Sequence, residues 1–272
     1  RPAVCLHEAR CGADEDEPVD AGGVAVGDVQ GQLGAEGPAD EDAARGELRQ
    51  AWRARISTGA YTAWQNVEKM KDIVSGKTLW DFLSTEVKEA NPVVLTGHSL
   101  GGNMAIVYAS YCWSRYNQAG KAKSNMEVIT FAAPAPGNSA FADDFDEKFP
   151  NAQRIENKYD IVPKFPCSDR LADLAELYSP ELSAASVSIG YKQATIKLSS
   201  VFRLLGTTLD LWKLRSGFTG YAATNGTGRV ITIPLSKKNA GSDPAAWFAE
   251  AGYQHGMAQY ARALGAPVLP CD

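Results

Sequence analysis

The chain has 272 residues, of which 44% are apolar and 22% are charged, and its formal net charge is −5. These values are typical of a globular protein with a sizeable core. The negative charge argues against a nucleic acid partner, because phosphate binding requires clustered Lys and Arg. No apolar run approaches the roughly 18 residues of a membrane span, so no transmembrane segment is expected.

Three histidines and five cysteines limit what else the chain can bind. No Cys-x-x-Cys pair occurs, and neither a metal site nor a cofactor is expected. Cys112 lies in an expected helix and is typical of a small buried apolar residue. Cys167 and Cys271 lie in loop-like sequence and could form a disulfide if the protein is secreted. We favour secretion and leave the oligomeric state open.

The composition changes sharply near residue 51. Residues 1–51 contain no aromatic residue and no Ile, Ser, Thr, Asn, Met or Lys. Such a segment buries little apolar surface and is typical of a disordered or loosely attached region. The same bias would arise from a non-native N-terminus, such as a fusion remnant or a misassigned reading frame. We therefore take residues 52–272 as the folded domain.

Beyond residue 51 the apolar periodicity predicts alternating helices and strands. Helices are expected at 60–73, 78–89, 100–116, 141–149 and 255–264, and strands at 93–96, 127–131, 153–156 and 229–234. Strands that alternate with helices indicate an α/β fold with a mostly parallel central sheet covered by helices on both faces.

Residues 97–101 read Gly-His-Ser-Leu-Gly, a G-x-S-x-G pattern between an expected strand and an expected helix. A serine on so sharp a turn has a strained backbone, and the flanking glycines avoid clashes with it. The helix N-terminus below it favours developing negative charge. Ser99 is therefore the candidate nucleophile. The alternative is a serine that only caps the helix.

A serine hydroxyl is a weak nucleophile and needs a base, most often a histidine. His7 lies in the atypical segment, and His98 adjoins Ser99 on the backbone of the same motif. His255 is the remaining histidine, and it precedes the last expected helix, at a loop end that suits a general base. His255 is the candidate base.

The third member of such a site is an acid that follows a strand and precedes the histidine in the chain. Asp160, just after the expected strand at 153–156, meets both conditions. The other acids considered fall in expected helices, in the strand or in later segments: Asp143, Asp144, Asp146, Asp169, Asp173, Glu156, Asp210 and Asp243. An aspartate here could also serve only to accept a backbone N–H in a turn.

Together these motifs resemble the class 3, or fungal-type, triacylglycerol lipase family of α/β-hydrolases. The resemblance rests on ISTGAYTAW, TGHSLGG, ITFAAPAPGN, DIVPKFP and a late histidine, and it covers residues 56–264. It implies an α/β-hydrolase fold with Ser99 as nucleophile, Asp160 as acid and His255 as base. It also implies hydrolysis of the carboxylic esters of lipids through an acyl-enzyme, with an oil–water interface as one place where the substrate is met. Phospholipase A1-type and feruloyl-type esterases are the alternatives within the enzyme class.

The resemblance also implies an oxyanion hole, with the backbone N–H of Leu100 as one donor. The second donor belongs on an earlier loop, inside residues 1–51, where no matching motif is found. The N-terminal part of the fold is thus atypical or truncated, and the second donor is unknown. Loss of one donor costs roughly 10²–10³ in rate. A catalytically impaired, lipid-binding protein with this fold is therefore a further alternative.

The segment at 179–228 is long and contains a dense apolar run at 201–214. One interpretation is a lid or cap over an acyl-chain pocket, which would suit a fatty substrate. An ordinary pair of buried helices is an equal alternative, because periodicity does not say which surface a helix covers.

Overall fold

The computed structural model describes residues 3–6, 26–27, 54–88, 91–120, 125–191, 194–216, 220–224, 228–236 and 243–267. Its central strands are β1 Ala3–Leu6, β4 Val93–His98, β5 Met126–Phe131, β7 Gln153–Asn157 and β11 Arg229–Ile231. They pair in the order β1-β4-β5-β7-β11, and every pair is parallel. The residues that follow β4, β5 and β7 therefore meet at one edge of the sheet.

The helices of the first half are α1 Thr58–Lys69, α2 Leu79–Thr85, α3 Leu100–Gln118 and α4 Ser139–Lys148. Their apolar side chains and those of β4 and β5 form the larger core, in which Leu95, Ile106 and Val128 are almost fully buried. The helix α3 packs against β4, β5 and α1, and its residues from Gly101 to Ser110 are therefore all buried.

The helix expected at 60–73 ends earlier, so that part of the prediction is wrong. The helix α1 ends at Lys69, and the chain then turns around Asp72. The Oδ2 atom of Asp72 accepts the N–H groups of Val74 at 3.2 Å and Ser75 at 2.6 Å. A side chain that bonds to local backbone donors competes with continuation of a helix, which explains the early end.

A second sheet is small and antiparallel. Its strands are β2 Val26–Gly27, β3 Ile56–Ser57, β6 Gly137–Asn138 and β10 Tyr221–Ala222, in the order β10-β6-β3-β2. The backbone N–H of Ser57 donates to Pro136, and this bond holds the start of α1 beside the loop that follows β5.

The segment at 179–228 contains a hairpin, which the sequence analysis did not predict, and one long helix. The hairpin strands are β8 Ser188–Tyr191 and β9 Ala194–Lys197, and the helix is α6 Leu198–Ser216. One side of α6 packs on the short helix α5 Ser168–Leu171 and buries Leu198 and Phe202 in a second core. The opposite side exposes Leu204 and Leu211 to solvent, and Leu205 is partly exposed at the edge of the packed side.

The end of the described chain contains two helices, α7 Pro244–His255 and α8 Met257–Ala263. The prediction of a single helix that starts at residue 255 is therefore wrong, because one helix ends at His255 and the next begins at Met257. Asp243 caps α7, and Pro244 occupies its first turn, where a missing N–H costs nothing. His255 is thus the last residue of one helix and does not precede the next as part of a loop.

Two cysteines lie in the described core. Cys112 is fully buried in α3, as expected, and Cys167 is buried before α5. Cys271, which could pair with Cys167 in a disulfide, lies outside the described residues.

The atypical segment 1–51 is described only at β1 and β2. Its interpretation as loosely attached or non-native stays a prediction, as does the domain division at residue 52. No helix in the described parts of the chain is long and apolar enough to cross a membrane.

Candidate active site

Ser99 stands on the turn between β4 and α3 with φ 57° and ψ −126°. A positive φ is rare for a residue with a side chain and indicates backbone strain. The turn is held by the N–H of Ser99, which donates to the carbonyl of Phe131 at 2.9 Å, at the end of β5. Ser99 occupies the N-cap position of α3, but its side chain makes no capping hydrogen bond. Its hydroxyl is therefore directed elsewhere.

The glycines around Ser99 are required by close backbone contacts. A Cβ atom at Gly97 would lie 2.2 Å from the main-chain oxygen of Gly101, and one at Gly102 would lie 2.8 Å from the Cβ of Ala133. Neither separation is compatible with a side chain. The first turn of α3 therefore packs directly against the end of β4.

Ser99, His255 and Asp160 form a hydrogen-bonded chain. The Oγ of Ser99 lies 2.8 Å from Nε2 of His255, and Nδ1 of His255 lies 2.9 Å and 3.1 Å from the two carboxylate oxygens of Asp160. Because Nδ1 of His255 carries a proton and donates a hydrogen bond to the carboxylate, Nε2 carries none and accepts a hydrogen bond from the hydroxyl of Ser99. A base in this tautomer can remove the hydroxyl proton of Ser99.

Asp160 follows β7 and is fully buried. Its Oδ1 accepts the N–H of Val162 at 2.9 Å. Asp160 therefore also stabilises a turn, which was the alternative role considered for it. Its Oδ2 accepts the hydroxyl of Tyr260 at 2.8 Å. Burial raises the pKa of Tyr260, and the adjacent Asp160 raises it further, so this hydroxyl stays a donor. The carboxylate is thus held by bonds from three directions.

His98 and Tyr260 are site residues that the sequence analysis missed as such. The ring of His98 contacts that of His255 at a tilt of 37° with centroids 4.6 Å apart, and its Nε2–H donates to the main-chain carbonyl of His255 at 2.8 Å. It also contacts the ring of Tyr260 edge-on at 5.8 Å. The position of His98 inside the G-x-S-x-G motif was the one signal that could have indicated this role.

Leu100 is the first residue of α3, so its N–H has no acceptor within the helix. This N–H is therefore available to an oxygen placed beside Ser99. Leu6 pairs with Gly97, and the chain thus leaves β1 at the same sheet edge as Ser99. The residues after Leu6 lie outside the described part, and so does the position of any second donor from this segment.

The described residues include no group of three or more His, Cys, Asp or Glu side chains that could hold a metal ion. The chemistry of the site described above rests on a hydroxyl, an imidazole and a carboxylate.

The chain is similar in sequence to known lipases. The family model described as Lipase (class 3) matches residues 35–169, which include Ser99 and Asp160. Phospholipase A1-Igamma2, chloroplastic, from Arabidopsis thaliana is 37% identical over 76 residues, which are 27% of this chain and 14% of that protein. Secreted mono- and diacylglycerol lipase 1 from Fusarium solani is 31% identical over 115 residues, which are 41% of this chain and 29% of the fungal protein.

The fold is similar to that of the solved M37 lipase, with a TM-score of 0.60 and 23% sequence identity over 78% of this chain and 58% of that one. The expected α/β-hydrolase fold with a mostly parallel sheet is therefore confirmed. The chain spans less than a third of the two curated relatives and less than two thirds of the solved lipase.

Proposed function

We propose that the chain hydrolyses the carboxylic esters of lipids through an acyl-enzyme on Ser99, a proposal supported by the match of residues 35–169 to the class 3 lipase family model. The observation that carries this proposal is the hydrogen-bonded chain from Ser99 through His255 to Asp160, with the two Ser99–His255 atoms 2.8 Å apart. A serine, a base within hydrogen-bond reach and an acid that orients the base are the parts of a serine hydrolase.

In this mechanism the Oγ of Ser99 attacks the ester carbonyl while Nε2 of His255 takes its proton. The imidazolium then gives that proton to the leaving alcohol, and the acyl group stays on Ser99. Water attacks the acyl-enzyme with His255 again as base, which releases the fatty acid and restores the serine. Asp160 holds the imidazole in the required tautomer and stabilises its charged form.

The negative oxygen that forms on the carbonyl needs hydrogen-bond donors. The N–H of Leu100 is one, because it has no acceptor within α3 and adjoins Ser99. A second donor belongs to this proposal but has no residue assigned to it. If the second donor is missing, the protein binds lipid esters and turns them over slowly.

We also propose that α6 acts as a lid or cap over the acyl chain. The contacts that support this are asymmetric: Leu198 and Phe202 bury against the second core, whereas Leu204 and Leu211 are 66% and 52% exposed on the opposite side. An exposed apolar stripe on a helix is suited to a lipid surface. The exposed leucines favour this role over that of an ordinary buried helix.

The 37% identity to a plant phospholipase A1 favours a second candidate, in which the substrate carries a polar head group. A panel of a triacylglycerol, a diacylglycerol and a phosphatidylcholine with the same acyl chains separates the two. The Fusarium solani relative is named as a secreted lipase, and we infer secretion for this protein as well.

The direct test is hydrolysis of p-nitrophenyl butyrate by the wild type and by Ser99→Ala. The variant is expected to hydrolyse at the background rate, because the nucleophile is absent. Ser110→Ala is a matched control, since Ser110 is a buried serine of the same helix and lies about three turns further along it. Equal rates for the wild type and Ser99→Ala would remove the proposal.

A further inference from the structure

Asn157, the last residue of β7, is 2% exposed and accepts hydrogen bonds from the backbone of the turn that carries Asp160. Its main-chain oxygen accepts the N–H of Asp160 at 2.9 Å. Its side-chain Oδ1 accepts the N–H of Tyr159 at 3.3 Å. These two bonds set the turn on which the carboxylate of Asp160 stands.

The other end of the same side chain is bonded to the residue before His255. The Nδ2 of Asn157 donates to the main-chain oxygen of Gln254 at 3.0 Å and to its side-chain Oε1 at 2.7 Å. Gln254 is fully buried, and its Nε2 donates to Glu250 one turn earlier in α7 at 2.7 Å. The last turn of α7, which carries His255, is thereby tied to the end of β7.

A third connection runs through Tyr260. The N–H of Asn157 donates to the hydroxyl of Tyr260 at 2.8 Å, and that hydroxyl donates to Oδ2 of Asp160. Asn157 thus contacts the supports of both Asp160 and His255, which are 95 positions apart in the chain. The amide is suited to this place because it accepts through oxygen on one side and donates through nitrogen on the other.

We propose that Asn157 is the positioning residue that holds Asp160 and His255 at hydrogen-bond distance. The inference rests on the proposed function, in which this pair orients and stabilises the imidazole. Asp160 follows β7 and His255 ends α7, so the distance between the two side chains depends on the contacts that join β7 to α7. A buried amide with all its bonds satisfied is rigid and costly to disturb. Rate is sensitive to displacement of such groups by fractions of an ångström.

The test compares Asn157→Ala with the wild type in kcat and KM for p-nitrophenyl butyrate, per folded molecule. We expect kcat to fall by about tenfold to a hundredfold with KM unchanged, because Asn157 is 2% exposed and offers almost no surface to a substrate. Asn157→Asp keeps the volume and the acceptor oxygens but lacks the donor to Gln254, and it is expected to lose kcat as well. Leu83→Ala, in the larger core on α2, is the control for lost stability and is expected to keep its kcat.

A double-mutant cycle with Asp160→Asn separates positioning from a general structural role. If Asn157 acts through the Asp160–His255 pair, then Asn157→Ala has little further effect once Asp160→Asn has broken that pair. The inference is overturned if Asn157→Ala keeps the wild-type kcat, or if it costs the same factor in both backgrounds.

A proton NMR measurement without substrate tests the role of Asn157 independently of whether the protein hydrolyses esters. The proton between Nδ1 of His255 and Asp160 is expected to give a far-downfield proton NMR signal in the wild type and in Leu83→Ala. In Asn157→Ala that signal is expected to weaken or move upfield. An unchanged signal would overturn the inference even if the enzyme is active, and a lost signal would support it even if the wild type hydrolyses no ester.

Discussion

The Oγ of Ser99 and the Nε2 of His255 lie 2.8 Å apart, although 156 positions separate the two residues in the chain. Each atom is placed by a feature of its own element. Ser99 is raised by a strained turn with positive φ, and His255 is the last residue of α7. The contact therefore depends on the packing of the whole domain and on no single local motif.

The pair formed by His255 and Asp160 is expected to dominate the rate. His255→Ala and Asp160→Asn are each predicted to lower kcat by about ten-thousand-fold, because the first removes the base and the second removes the carboxylate that sets its tautomer. Steady-state kinetics on p-nitrophenyl butyrate measure this. Asp143→Asn changes an exposed aspartate of α4 in the same chemical way and is expected to have no effect. A loss below tenfold in either site variant would contradict the assigned roles.

Gly97→Ala is predicted to destroy the turn that carries Ser99. The new Cβ would meet the main-chain oxygen of Gly101 at 2.2 Å, and a backbone atom has no freedom to move aside. We expect loss of activity and a lower thermal midpoint in calorimetry. Gly59→Ala, in α1, has no atom within 4 Å of the new Cβ and is expected to leave both unchanged or to stabilise the protein slightly. Equal behaviour of the two variants would refute the close packing of the turn.

The strained backbone of Ser99 predicts an unusual order of stability among its variants. Ser99→Gly is expected to have a larger free energy of unfolding than Ser99→Ala, by about 1 kcal/mol, because glycine adopts a positive φ without steric cost. Urea unfolding followed by tryptophan fluorescence measures the difference. If the alanine variant were the more stable of the two, Ser99 would not be strained in the folded protein.

The exposed side of α6 is predicted to matter only for aggregated substrate. Leu204→Ser and Leu211→Ser remove apolar surface that solvent already contacts, so their stability should stay close to that of the wild type. We expect several-fold slower hydrolysis of an emulsified triacylglycerol and unchanged hydrolysis of dissolved p-nitrophenyl acetate. Val230→Ser removes an equally exposed apolar residue from β11 and serves as the control. A loss of the same size in Val230→Ser would show that α6 has no special role.

Cys167 is predicted to be a buried thiol that reacts only after unfolding. Burial raises its pKa, so the reactive thiolate is scarcer near pH 8 than it would be for an exposed cysteine. We expect iodoacetamide to modify Cys167 in urea without any reductant, and not in the folded protein, as read by peptide mass spectrometry. A requirement for reductant in urea would instead establish a disulfide at this residue.

Local sequence patterns and elimination were sufficient to select three candidate site residues. The G-x-S-x-G pattern led to Ser99, and the scarcity of histidine left His255 as its base. Asp160 followed from its place after an expected strand. The structure brings these three residues together, because the parallel strands before Ser99 and Asp160 end at one edge of the sheet and α7 ends beside them at His255.

The sequence was not sufficient where local bonds or distant contacts decide the structure. The end of α1 depends on hydrogen bonds from the side chain of Asp72, which hydrophobic periodicity does not register. The start of α7 was signalled by Asp243 and Pro244 but was overlooked. The role of Asn157 arises from bonds to residues about 100 positions away, for which a single sequence carries no pattern.

The most direct test is covalent labelling of the folded protein by a fluorophosphonate ester, with the adduct located by peptide mass spectrometry. The proposed mechanism predicts one adduct, on Ser99, in the wild type and almost none in His255→Ala under the same conditions. A folded wild-type protein that gives no adduct, or an adduct on another serine, would contradict the assignment of Ser99 as the nucleophile.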